Sequence, residues 1–176
     1  MGKRPTEKLK EAVHFVCRSM ATQPDLVGAV KLQKILWYFD VRAYQATGQT
    51  ATGAVFVKGL YGPYTPEVGV AISQLVSEGR FFADTDKFFD NEKARLIGKG
   101  ETKSLFTDRE LCWLADTTKE ICADHSAASI SEESHGPVWR MARLGEEIPF
   151  EATAVTLVHP SKEALELAKK DLELAH

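Results

Sequence analysis

The sequence predicts an α+β protein that is predominantly α-helical, a single domain over 1–176 with a small antiparallel β-sheet built from one strand and one hairpin. Three observations predict it. Apolar residues recur at three- and four-residue spacing along most of the chain. Short stretches rich in β-branched and aromatic residues interrupt that pattern only between about 54 and 98. Finally, 176 residues at 44% apolar composition are enough to build one core, and no long linker divides them.

Leu9, Val13, Val16 and Met20 form one apolar stripe, which predicts a first helix over about Thr6 to Met20. Pro24 and Gly28 then break the chain. Leu32, Ile35, Leu36, Phe39, Ala43 and Ala46 share one face of a second helix, about Val30 to Thr47. Trp37, Tyr38 and Tyr44 widen that surface, so this helix is expected to be central, with several neighbours. Gly48 follows as a left-handed cap.

Ala54-Val55-Phe56-Val57-Lys58 reads as a strand. The next stretch, Gly59-Leu60-Tyr61-Gly62-Pro63-Tyr64-Thr65-Pro66, is expected to be irregular, because two glycines and two prolines punctuate it. Val68, Ile72, Leu75 and Val76 predict a third helix over about Pro66 to Ser77, with proline tolerated in its first turn. From Arg80 to Phe89 and from Lys93 to Gly98 the pattern predicts a hairpin turning at Asp90-Asn91-Glu92 and pairing with the earlier strand. Thr107-x-x-Glu110 is a capping box that opens a fourth helix, about Thr107 to Ala123. Ser129-x-x-Glu132 reads as a second box. Trp139, Met141, Ala142 and Leu144 suggest a short helical turn, and Ser161 to Leu174 an amphipathic final helix.

Composition narrows the function. No apolar run is long enough to span a bilayer, and Met1 to Lys10 is too polar for a secretory signal. Three cysteines, Cys17, Cys112 and Cys122, form no framework pattern, so a reduced, cytoplasmic protein is expected. Residues 1–34 carry seven Lys and Arg against three Asp and Glu, while residues 101–135 carry three against eight. Such polarity either steers a charged partner or draws two segments together within one fold.

Chemistry-bearing patterns are weak. Cys112 and Cys122 would sit about 15 Å apart along one helix and cannot share a zinc ion, which leaves only Cys122-x-x-His125. Gly98 to Ser104 lacks the glycine that must precede the lysine of a phosphate loop, since Thr102 stands there. No nucleophile elbow or cysteine-protease context exists. Glu132, Glu133 and His135 are read as a solvated turn. No catalytic set, cofactor or metal is therefore expected. The order of helix, strand, helix and hairpin over 30–98 is similar to a winged-helix module, which leaves a DNA-binding regulator as the alternative reading. The third helix contains no Lys or Arg, however, and such a reader needs phosphate contacts.

Three blocks carry a resemblance. Lys31-Leu32-Gln33-Lys34-Ile35-Leu36-Trp37-Tyr38-Phe39 resembles the K-L-Q-K-L-L-Y-F signature of the Panacea domain, the family of SocA-like antitoxins and phage-associated proteins. Tyr61-Gly62-Pro63 resembles its Y-G-P motif. Ser134-His135, Trp139 and Gly145-Glu146-Glu147-Ile148-Pro149 resemble its S-H…W…G-E-x-I-P block. The blocks span about 30–150 in the family's order; Trp37 departs from the commoner aliphatic residue. The resemblance implies a mostly helical antitoxin that binds a cognate protein toxin, in some members presenting it to an AAA+ unfoldase–protease, with no catalytic residue; the composition adds the expectation of no membrane partner, and the third helix disfavours nucleic acid. Leu32, Leu36, Phe39, Gly62, Pro63, His135 and Trp139 are expected to be architectural, with His135 fixing the turn to Trp139 and Glu132 or Glu133 accepting its proton. Lys31, Gln33 and Lys34 are expected to order the loop bearing Tyr61 or to touch a partner. Trp37, Lys34, Tyr61 and Tyr64 are the candidate partner-binding residues.

Overall fold

A computed structural model describes residues 5–83 and 95–155. Helix α1 (Glu7–Ser19) starts where Thr6 accepts a hydrogen bond from the Leu9 amide, and a 3-10 turn at Pro24–Leu26 redirects the chain. Helix α2 (Ala29–Thr47) ends at Gly48, whose φ of 75° is the left-handed conformation that glycine adopts without steric cost. Strands β1 (Val57–Gly59) and β2 (Gly62–Tyr64) precede α3 (Glu67–Ser77); β3 (Phe81–Ala83) and β4 (Leu96–Gly98) follow it. Helix α4 (Asp108–Asp124) carries the capping box expected from Thr107 and Glu110. Short helices α5 (Ala127–Glu133), α6 (Pro137–Met141) and α7 (Glu151–Val155) complete the described chain.

The class is the one the sequence predicts, mostly helical α+β, but the sheet differs. Instead of one sheet joining strand and hairpin, the described residues form two separate antiparallel pairs, β1 with β2 and β3 with β4. The stretch expected to be irregular contains β2, because Gly59 and Gly62 pair across a two-residue turn at Leu60-Tyr61 and close a tight hairpin. The second capping box also shifts. Ser126 and Ser129 form it, three residues before the position expected from Ser129 and Glu132. The predicted turn at 90–92 and the helix at 161–174 lie outside the described residues.

Helix α2 is central, packing against α4, α5, β2 and α1. Leu32, Ile35, Leu36 and Phe39 are fully buried on it. Its buried Asp40 accepts hydrogen bonds from the Thr52 amide, at 2.8 Å, and from the Thr52 hydroxyl, which fixes the chain leaving the helix. On the other side, Glu11 of α1 receives Arg80 in a fork at 2.6 and 2.8 Å and the Lys103 amide at 2.9 Å. That buried pair ties α1 to the segments on either side of the second hairpin.

The G-E-E-I-P segment lies beside β1. The Lys58 amide donates to Glu146, Gly145 donates back to Lys58, and Ile148 donates to Phe56, each at 2.8 Å. Phe150 is thereby brought onto Trp37, with ring centroids 5.0 Å apart and stacked, while Phe56 meets Trp37 edge-on at 5.2 Å. Two sequence blocks more than a hundred residues apart are joined through β1.

Candidate functional site: a clamped hairpin over a groove

The β1–β2 hairpin is held by four side chains from three helices. Trp139 Nε1 on α6 donates to the Gly59 carbonyl at 3.2 Å. Ser131 Oγ on α5 donates to Tyr61 at 3.0 Å. From α2, Lys34 Nζ donates to Pro63 at 2.8 Å and Gln33 Nε2 to Thr65 at 3.0 Å. Every second carbonyl from 59 to 65 therefore has a side-chain donor, and Gln33 Oε1 also accepts from the Thr65 amide at 2.9 Å. This alternation follows from the strand period, which turns successive carbonyls to opposite sides.

Gly62 is the pivot. Its φ of +97° disfavours any other residue, and a Cβ there would lie 2.1 Å from Ser134 Oγ and 2.8 Å from Lys34 Cε. The absence of a side chain lets α2 and the end of α5 close under the turn. Clamped from below, the hairpin presents Leu60 (72% exposed), Tyr61 (55%) and Tyr64 to solvent.

Beside this tip runs a groove of about 590 Å³, open to solvent, whose walls include Val30, Lys34, Leu60, Tyr61, Tyr64 and Leu144. Leu144, from the segment after α6, is 67% exposed. Among the described residues the groove lining contains Lys34 and Lys58 and no Asp or Glu. Lys58 Nζ donates to the Ala142 carbonyl at 2.9 Å and lies 4.2 Å over the Trp139 ring. Lys34 is only 1% exposed, and burial pushes its ammonium down to about 7.

The candidate residues thus separate. Tyr61 and Tyr64 stand at the surface, whereas Trp37 and Lys34 do not. Trp37 is 6% exposed beneath Phe150, because the aliphatic-to-aromatic departure in α2 is absorbed by an aromatic cluster. Lys34 works from within, as a clamp. Lys31 points elsewhere, with Nζ 3.4 Å from the Cys122 carbonyl on α4. Leu32, Leu36 and Phe39 lie in the core, and Pro63 is buried in β2.

His135 does stand one above the other with Trp139, but through ring stacking, with centroids 3.7 Å apart and planes 9° from parallel. The expected carboxylate partner is not there. Glu133 faces His125 instead, at 3.7 Å, and His135 Nε2 is buried without a hydrogen bond. Burial holds the imidazole below its usual pKa. Sequence reasoning missed Ser131, Leu60 and Leu144. A serine within a short helix carries no signal of its target, and the two leucines resemble any other apolar residue until the turn exposes them.

Among the described residues no group of three or more His, Cys, Asp or Glu comes together as a metal site. No helix among them is long and apolar enough to cross a membrane. The family model described as antitoxin SocA-like, Panacea domain, matches residues 32–140, more than half of the chain. That span runs from α2 to α6 and contains every donor of the clamp. No curated protein and no solved structure matches.

Proposed function

The chain belongs to the SocA-like antitoxin family with a Panacea domain, and on that premise we propose that it neutralises a cognate protein toxin by direct binding, without catalysis. The observation that supports this reading is the clamped hairpin: two large side chains, Leu60 and Tyr61, exposed at the tip of a backbone whose alternate carbonyls are held by four separate side chains. Exposed aromatic anchors dominate interface energetics, and ordering them before contact lowers the entropy cost of association. The DNA-binding alternative has less support, since α3 (Glu67–Ser77) carries no Lys or Arg.

Co-expression with the product of the neighbouring gene, the first candidate for the toxin, tests the reading. Wild-type chain should restore growth and copurify with the toxin, and Tyr61→Ala should lose both while melting as the wild type does. Growth restored without a complex, or unaltered rescue by Tyr61→Ala, would overturn it. A finer form has the bound toxin handed to an AAA+ unfoldase–protease. Rescue should then fail in a host lacking that protease although the complex still forms.

A further inference from the structure

Among the described residues Lys34 is a cation with no anion. It is enclosed by α2, the Gly62–Pro63 backbone and the end of α5, and its one hydrogen bond is to a neutral carbonyl, that of Pro63. It forms part of the groove wall, and among the described residues no carboxylate lines that groove. On the other side of the fold the buried Glu11 is matched by Arg80 and Lys10 by Glu78, whereas on α2 Lys31, like Lys34, meets a neutral carbonyl. Removing an ammonium from water without a counter-charge is costly, and its attraction for an anion in the same low-dielectric site is correspondingly strong. Around this charge the groove is mainly apolar and aromatic, through Val30, Leu60, Tyr61, Tyr64 and Leu144, with Gln33, Lys58 and Thr65 also in its wall.

We propose that the groove receives an apolar segment of the toxin carrying one Asp or Glu, whose carboxylate settles on the Gly62–Pro63 floor as the counter-ion of Lys34. The proposal rests on the antitoxin reading and adds the chemistry of the partner. The groove is open to solvent and about 590 Å³ in volume, which suits a segment passing through and laying several side chains against Leu60, Tyr61 and Leu144. An internal acidic side chain fits such a passage, whereas a terminal carboxylate would end it. Lys58 lies at the same groove, but its ammonium bonds both the Arg140 and the Ala142 carbonyls and faces the Trp139 ring, whereas Lys34 meets the Pro63 carbonyl. Lys34 therefore supplies the selectivity for charge, and the exposed apolar rim supplies the area.

The experiment uses the full chain and no toxin, so that a failure of this chemistry is read separately from a failure of growth rescue. A bead library of random, C-terminally amidated dodecapeptides is screened with labelled wild-type protein. Retained peptides should carry a single Asp or Glu among Leu, Ile and Phe. Exchanging that acid for its amide should weaken binding about tenfold or more, and the same exchange should make no difference to Lys34→Met. A second library, free of Asp and Glu but ending in a free carboxylate, should yield nothing. Preferential retention from it would overturn the internal acid, and peptides without acid enrichment would overturn the counter-ion. Should Lys34→Met not fold, Leu60→Asp provides the check: Leu60 is exposed, so the fold should persist, and a carboxylate at the rim should abolish retention of the acidic peptides. Unchanged retention by Leu60→Asp would remove the groove from the proposal.

Discussion

Gln33 holds Thr65 by both ends of its amide, donating to the Thr65 carbonyl at 3.0 Å and accepting from the Thr65 amide at 2.9 Å. The arrangement reproduces a backbone ladder using one side chain, and it fixes the strand exit just before α3 begins. Gln33→Glu keeps the acceptor but sets a carboxylate oxygen against the Thr65 carbonyl. Stability should fall by about 1–3 kcal/mol, the usual effect of leaving a partly buried polar group unpaired. Urea unfolding would measure it, and the Thr65 amide should exchange faster than in the wild type. Wild-type stability in Gln33→Glu would show that the clasp contributes nothing.

Gly62 and Ser134 should behave as a coupled pair. Gly62→Ala places a methyl 2.1 Å from Ser134 Oγ on a backbone at φ +97°, where strain alone costs about 1–3 kcal/mol. Ser134→Ala removes the nearest clashing atom while leaving the backbone strain. The double variant should therefore be more stable than the sum of the single effects predicts, since contacting residues do not add. Strict additivity in a double-mutant cycle would mean that the hairpin moves away from α5 instead of pressing on it.

The four longer helices were legible because each has its own periodic stripe and, at α4, a cap written in adjacent residues, whereas the short α7 has no such stripe. The sheet arrangement was not. Nothing in Val57-Lys58-Gly59 or Phe81-Phe82-Ala83 says which strand each will meet, because partner choice depends on how helices pack around them. The Y-G-P stretch was misjudged for a related reason: glycines and prolines that disrupt a long strand are tolerated in a three-residue one closed by a tight turn. Tyr61 could be read as exposed because it sits among turn residues. Trp37 could be read both as part of the apolar face of α2 and as a partner contact; what settles it, Phe150, arrives from the far end of the described chain. The site was legible as three motifs. That they converge on one hairpin is visible only in the clamp.

His135 contributes to Trp139 through its ring face and leaves Nε2 without a partner. A phenyl ring preserves the stack and removes the unsatisfied nitrogen. His135→Phe should accordingly match or exceed wild-type stability, whereas His135→Ala should lose about 0.5–1.5 kcal/mol of ring contact. Chemical denaturation of the two variants separates these outcomes. Equal damage from Phe and Ala would assign the role to an imidazole nitrogen and not to the stack.

Lys34 makes stability depend on pH in a direction that can be worked out. Burial lowers its folded pKa to about 7, against about 10.4 for an unperturbed lysine. Between those values the unfolded chain holds a proton that the folded chain has released, so the Lys34 contribution to stability rises with pH across that window. Below about 7 both states are protonated and the full desolvation penalty remains. Lys34→Met removes the charge at nearly the same length, giving up only the bond to Pro63. The variant should thus be more stable than the wild type at pH 6, by roughly 2–4 kcal/mol once the lost hydrogen bond is deducted. Its advantage should shrink steadily toward pH 10. Taking the difference between the two proteins cancels most other titrations; His135, whose lowered pKa responds to Lys34, is the neighbour that does not cancel, and its effect is confined to the acid end of the range. Thermal melts of both proteins from pH 6 to pH 10 provide the comparison. A constant difference across that range would mean that Lys34 keeps an ordinary pKa, and an advantage that grows with pH would reverse the assignment of its charge.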